Sequence, residues 1–299
     1  MDSLSPIVLF TYLRLETLEK TINALAANIY ASESDLIIYS DGAKFAKDIE
    51  RVNEIRAFLK TIRGFKSLTI HESPTNKGLA TSIIQGVSSV LTRYPSAIVL
   101  EDDLLTSTNF LAFMNASLGR FKEVKDVYSI SGYSFDFPHV SSNIDGYFLN
   151  RSWSWGWATW SDRWNEIDWQ LHDYSEFISN KVEVSKFARL GSDVNKMLSD
   201  QMQGKADSWY IRSTYHQFKI KGLAFYPSIS KVNNEGFDSV ATHNKGLKTR
   251  FITNFDTSEK LSFTFPERIE INPIIQAAFS TKLGLKNRIL NRIKEFLFT

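Results

Sequence analysis

Three consecutive carboxylates, Glu101, Asp102 and Asp103, follow the apolar run Ala97 to Leu100. Such a run reads as a strand buried on both faces. Unpaired carboxylates cost too much to follow it into a core. The acids are therefore expected at the strand's carboxyl edge, where open α/β sheets bind ligands. Adjacent acids repel, and the usual remedy is a cation. Oxygen-only ligation suits a hard divalent ion such as Mg2+ or Mn2+. The plainer alternative is a solvated acidic turn that caps the helix near Asn109 to Phe121. Other polar groups favour the first reading. Arg14 follows the first apolar run, Asp41 ends the second, and Asn76-Lys77 follow the third. If those runs are parallel strands, the groups share one edge. Together they meet the needs of a nucleotide diphosphate. Asp41 can accept from a base N–H or a ribose hydroxyl. Arg14 or Lys77 can face phosphate or base, and an acid with a metal can bridge the diphosphate.

The elements that must position these groups are legible. Pro6 to Thr11 reads as a first buried strand, followed by a helix over Leu15 to Asn28 with Leu15, Leu18, Ile22 and Leu25 at helical spacing. A second strand runs from Asp35 to Asp41, a helix from Ile49 to Ile62, a third strand from Phe65 to Glu72, and a helix from Gly78 to Tyr94. Alternating strands and helices with near-continuous apolar strands predict a mostly parallel, Rossmann-like sheet flanked by helices. No G-x-G-x-x-G follows the first strand and no P-loop is present. Asp126 to Ser131 reads as a further strand. Beyond it the pattern loosens: mixed strand and loop to Ser152, weak helical patterning over Val182 to Met202, a helix over Ser208 to Lys221 and a short strand over Leu223 to Ser228. The two halves are expected to share one sheet.

The 299 residues are ample for a core, and 43% are hydrophobic. A net charge of +2 gives no field that argues for nucleic acid. The absence of cysteine excludes disulfides, thiolate metal sites and a Cys nucleophile. No stretch reads as a signal peptide or membrane span. All seven Trp lie between Trp153 and Trp209, six of them within 17 residues. Packing alone rarely concentrates Trp so heavily, and aromatic faces serve as platforms for sugar rings. In the tail, Leu285, Ile289, Ile293 and Phe296 share a helical face among basic residues. That pattern suits a helix on an anionic membrane surface or one docked on the domain.

The chain resembles GT-A-fold glycosyltransferases, nearest to the N-acetylglucosaminyltransferase I type. Glu101-Asp-Asp-Leu104 followed by Asn109-Phe-Leu is similar to that family's E-D-D-L, its form of the D-x-D motif. Arg14 and Asp41 match the Arg after its first strand and the Asp after its second. Where the family has a nucleotide-contacting His, this chain has Ser82. The second half is similar to a group of bacterial sugar transferases through Trp155-Gly156-Trp157-Ala-Thr-Trp160, Asp207-Ser-Trp209, Tyr226-Pro227, and Asn234-Glu-Gly-Phe237 with Ala241-Thr-His243. The resemblance implies that Asp103 ligates Mn2+ or Mg2+, with Glu101 and Asp102 nearer ribose and donor sugar. It implies Asp207 as catalytic base and places His243 near the metal or diphosphate. It adds Lys77, Ser82, Gly156 and Trp157 to the donor site and Trp155 and Trp209 to the acceptor site.

The resulting expectation is an inverting, metal-dependent transfer from a nucleotide-sugar, with UDP as the favoured carrier, to a glycan or lipid-linked hydroxyl in bacterial surface polysaccharide assembly. It divides the chain into a nucleotide-sugar half (1–135), an acceptor half (136–280) and an amphipathic helix (281–299). The location expected is cytoplasmic, with contact to the inner membrane face through 282–299. Asp136, Glu235 and Asp238 are rival bases, and Asp207 also reads as a helix N-cap. A sugar-binding module without activity would not need the acidic triad. A sugar nucleotidyltransferase would want a Gly-rich basic loop where Tyr12-Leu-Arg-Leu-Glu stands.

Overall fold

The computed structural model describes residues 4–137, 143–236, 251–287 and 289–290. In chain order its elements are β1 (Ile7–Thr11), α1 (Leu15–Ala26), β2 (Asp35–Ser40), α2 (Ile49–Leu59), β3 (Ser67–Glu72), α3 (Leu79–Leu91), β4 (Ser96–Glu101), β5 (Leu104–Thr106), α4 (Phe110–Phe121), β6 (Val127–Ser131), β7 (Gly146–Leu149), β8 (Trp157–Trp160), α5 (Ser161–Asn165), α6 (Tyr174–Ser179), α7 (Lys181–Ala188), α8 (Val194–Met202), α9 (Trp209–Lys219), β9 (Leu223–Pro227), β10 (Val232–Asn234) and α10 (Pro273–Leu283).

Apolar runs become central strands because alternate side chains feed two cores. In β1, Ile7 and Leu9 enter one core, Val8 and Phe10 the other; in β4, Ile98 and Leu100 oppose Ala97 and Val99. One eight-stranded sheet results, in the order β3-β2-β1-β4-β8-β6-β9-β7. Strands β3, β2, β1 and β4 are mutually parallel, as the alternation of strand and helix predicts. Both halves of the chain contribute strands to this one sheet, also as expected.

The second half corrects two expectations. The Trp-rich stretch contains a strand, β8, that lies antiparallel between β4 and β6. Alternation then sends Trp157 into one core and Ala158 and Trp160 into the other. Trp153, Trp155 and Trp157 therefore line packing rather than an open wall: Trp155 is 8% exposed and Trp157 5%. The stretch Val182 to Met202 forms two helices, α7 and α8, broken at Gly191, whose φ is +158°. Gly191 lies against the buried Arg151, which donates to the Asp193 carboxylate, to the Leu190 carbonyl and to the Tyr210 hydroxyl. This cluster ties the α7–α8 connection and α9 to the end of β7.

A helix that the sequence pattern does not single out, α10, precedes the tail, and residues 291–299, with Ile293 and Phe296, lie outside the described residues. Asn272 caps α10 by accepting from the amides of Ile274 and Ile275, and Pro273 sits at its first position. Phe279 is fully buried against Phe135 and Phe137. Leu283 O accepts from the amide and hydroxyl of Ser192. Beyond it, Leu285, Ile289 and Leu290 are exposed. Among the described residues, no helix is long and apolar enough to cross a membrane.

A small second sheet completes the frame. β10 pairs antiparallel with β5, matching Val232 with Thr106 and Asn234 with Leu104. It is anchored by the buried ion pair of Lys231 with Asp256, each 6% exposed. Burial alone would raise the Asp256 pKa. Lys231, the Ser258 hydroxyl and amide, and Asn109 outweigh burial and hold it down at about 2. Removing one member leaves the other charged and uncompensated. Asp256→Ala is expected to cost about 3–5 kcal/mol, read as a lowered urea midpoint at unchanged slope. Replacing both residues together by Met and Leu should recover a large part of that loss.

Candidate functional site

Successive parallel strands bring their carboxyl ends to one edge, and the predicted polar groups are built there. Asp41 directly follows β2 and is 8% exposed. Its Oδ1 accepts from the amides of Gly42 and Lys77, each at 2.9 Å. Its Oδ2 accepts from Asn76 Nδ2 and the Gly78 amide, each at 3.0 Å. Four donors within the protein occupy this carboxylate, so its observed work is to close the loop after β3 over the end of β2. These are contacts within the protein, beside the base or ribose contact expected of Asp41. Lys77 is exposed, with Nζ 3.0 Å from Gln85 Oε1. Ser82 lies in the first turn of α3, its amide bonded to Gly78 O.

The acids continue β4. Glu101 is its last residue and pairs with Phe10 of β1. Asp102 Oδ2 accepts from Thr11 Oγ1 at 2.8 Å and from the Tyr12 amide at 3.1 Å. Asp103 Oδ2 accepts from Arg14 Nη1 at 2.6 Å. Burial, together with repulsion from Asp103, pushes the Asp102 pKa up to about 6. Burial and the charges of Asp103 and Asp102 push Glu101 up to about 8. The local cost of placing three acids here is large, and it is a cost that a cation would offset.

The donor set suits Mg2+ or Mn2+, being oxygen throughout. Among the described residues, no group of three or more His, Cys, Asp or Glu side chains is arranged to hold an ion unaided. A small hard cation is commonly held by one or two carboxylates plus substrate phosphates, and Asp103 fits that role. His243, the other expected ligand, lies outside the described residues, as does the rival base Asp238.

The strip after β10 crosses this site. The Glu235 amide donates to Asp103 O at 2.8 Å, and the Gly236 amide to Asn234 Oδ1 at 2.7 Å. A Cβ on Gly236 would lie 1.9 Å from Asp103 Oδ2, so only glycine fits. This contact was not foreseen, although Asn234-Glu-Gly belongs to a motif singled out in the sequence. Thr11 and the Tyr12 amide were also missed; nothing in their local pattern marks them. Gly156 adopts φ +58°, and its carbonyl accepts from the Gly132 amide at 2.5 Å. Its role is a close chain crossing beneath Val232 and Phe110.

Asp207 stands at the start of α9 and is exposed, with Oδ1 2.5 Å from Arg212 Nη2. It is not the N-cap: Ser208 is, accepting from the Ile211 amide. Since β9 runs parallel to β6, the short turn from α9 into β9 leaves the helix start toward the carboxyl edge. Trp209 agrees with that placement, because it stacks on Trp157, which pairs with Val99 of β4. Trp209 is itself only 6% exposed, and Trp157, Trp164 and Trp209 pack as a triangle of rings. Trp155, Trp157 and Trp209, expected at the donor and acceptor sites, are buried and pack against other rings. Asp136 is exposed before the segment 138–142, which lies outside the described residues.

No family model matches the chain, and no curated protein is similar to it. Two solved structures are similar in part. The mannosyltransferase PcManGT from Pyrobaculum calidifontis, in complex with GDP-Man and Mn2+, is 15% identical with a TM-score of 0.31, over 43% of this chain and 34% of that one. S. aureus TarS is 11% identical with a TM-score of 0.35, over 55% of this chain and 30% of that one. The chain thus spans about a third of the length of each. Likeness of this extent is no guide to what the chain binds.

Crowded acids trade stability for chemistry. Glu101→Gln removes one of three like charges while keeping shape. In metal-free protein at pH 8 or above, it should raise Tm by roughly 2 °C or more, measured by thermal unfolding. An unchanged or lower Tm would show that the charges are not in conflict.

Proposed function

We propose that the chain is a metal-dependent, inverting glycosyltransferase of the GT-A type that uses a nucleotide-sugar donor. One observation carries this reading. Glu101, Asp102 and Asp103 stand at the end of β4. On the same sheet edge, Arg14 touches Asp103 and Asp41 closes the Asn76–Gly78 loop. Acids that pay a desolvation cost beside an arginine, with the exposed Lys77 on the same edge, suit a ligand that brings both phosphates and a cation.

In this reading Asp103 would hold Mn2+ or Mg2+, and the bound ion would supply charge neutralisation for the departing diphosphate. Asp102, fixed by Thr11 and Tyr12, and Glu101 face the ribose and donor sugar. The exposed Lys77 side chain, with Ser82 one turn on, faces the nucleotide. Asp207 takes the proton of the acceptor hydroxyl. The acceptor oxygen then bonds to C1 of the sugar as the bond from C1 to the phosphate oxygen breaks, and the nucleoside diphosphate leaves with that electron pair. Exposure of Asp207 at the start of α9 supports this role, since an acceptor must reach it. Its pairing with Arg212 gives the carboxylate a partner to exchange for that acceptor. A positioned base contributes about 10²–10⁴-fold.

UDP is the favoured carrier, and a glycan or lipid-linked hydroxyl in bacterial surface polysaccharide assembly the favoured acceptor, both through the family resemblance. The exposed Leu285, Ile289 and Leu290 among basic residues support contact with an anionic membrane face.

The test is nucleotide release from a panel of nucleotide-sugars, with and without Mn2+. Wild type should turn over one donor only with metal. Asp103→Ala should abolish metal-dependent nucleotide binding. Asp207→Asn should bind donor normally and lose about 10²–10⁴-fold in kcat. Full transfer by Asp207→Asn would move the base to Glu235, Asp136 or Asp238. Binding of sugars without turnover of any donor would make the chain a binding module.

A further inference from the structure

The partner that Asp103 already has is a cation. Arg14 Nη1 lies 2.6 Å from Asp103 Oδ2, with the two side chains 16% and 11% exposed. The pair is roofed by Gly236, where a Cβ would stand 1.9 Å from Asp103 Oδ2 and 2.9 Å from Arg14 Nη1. The roof is fixed by backbone bonds rather than by side chains. Asn234 pairs with Leu104, Glu235 donates to the Asp103 carbonyl, and Gly236 donates to Asn234 Oδ1. Arg14 itself sits at the boundary between β1 and α1, as the residue before the first helical turn. Its guanidinium is therefore tethered at the same edge whichever anion it meets.

We propose that Arg14 is the resting counter-ion of Asp103, a cation built into the chain that the divalent ion must displace, and that the missing side chain at Gly236 leaves the room for this exchange. The inference rests on the metal role given to Asp103 above and deepens it. A unit charge next to a carboxylate changes that group's preference for another cation by one to three decades. Metal alone must displace a guanidinium that gains nothing by leaving. A nucleoside diphosphate offers the guanidinium phosphate oxygens that suit its forked donors, and offers the metal further ligands. Metal and nucleotide therefore bind together far more tightly than either alone, and Arg14 is the residue that couples them. In this account Arg14 and Gly236 are positioning residues, acting through Asp103.

The experiment is Mn2+ binding by the full chain, followed by loss of the free-ion electron paramagnetic resonance signal, with and without saturating UDP or GDP. In wild type, Mn2+ should bind weakly alone and strongly with the nucleotide. Arg14→Met should bind Mn2+ about tenfold more tightly without nucleotide and lose most of the tightening that nucleotide brings. Gly236→Ala, checked for folding by thermal unfolding, should weaken Mn2+ in both states. Asp103→Asn should abolish binding in both. Unchanged or weaker Mn2+ binding by Arg14→Met, while wild type binds Mn2+ and nucleotide, overturns the exchange and leaves the transferase reading standing. A wild type that binds neither Mn2+ nor nucleotide overturns both.

Discussion

Three like charges at the end of a strand that is buried on both faces are the constraint around which this molecule is arranged. β4 cannot carry the acids into the core, and nothing in its own sequence neutralises them. Two of the acids, Asp102 and Asp103, are met by other pieces of the chain. Thr11 and the Tyr12 amide, from the end of β1, hold Asp102. Arg14 holds one oxygen of Asp103. The strip after β10 returns from more than 130 residues away in sequence to cover Asp103 through backbone and a glycine. The elevated pKa values of Asp102 and Glu101 show that these contacts do not remove the conflict. A surface optimised only for stability would have discarded one of these acids.

Asp41 solves a related problem differently. It too is a buried acid at a strand end, yet it accepts three hydrogen bonds from one short loop and a fourth from the adjacent Gly42 amide. A carboxylate saturated in this way clamps the loop after β3 to the end of β2. The two sites share an edge but differ in what they leave unsettled. Asp41 is satisfied by the protein, whereas the β4 acids still carry repulsion that a ligand can relieve.

The aromatic content follows the same logic of packing before recognition. Trp157, Trp164 and Trp209 stack on one another and join α5 and α9 to the sheet. Trp153 and Trp155 pack with Tyr133 and Phe251 on the other side. Rings concentrated in sequence here mark the place where a late strand, β8, is inserted into the sheet's centre.

The sequence by itself determined the first four strands' worth of architecture that matters for the site: buried apolar runs, the helices between them, and the polar residues Arg14, Asp41, Asn76, Glu101, Asp102 and Asp103 at their ends. These are local properties, since a run of apolar residues and its polar terminus are adjacent in the chain, and parallel strands align such termini automatically. Tertiary structure alone decided which atoms meet. Whether Asp41 faces a ligand or clamps a loop, whether Ser208 or Asp207 caps α9, and whether a Trp is wall or core depend on groups that spacing does not locate. The antiparallel entry of β8 and the seating of Gly236 on Asp103 depend on pairings across long separations. Such pairings are fixed by sheet register and close packing, and neither leaves a periodic mark on the sequence.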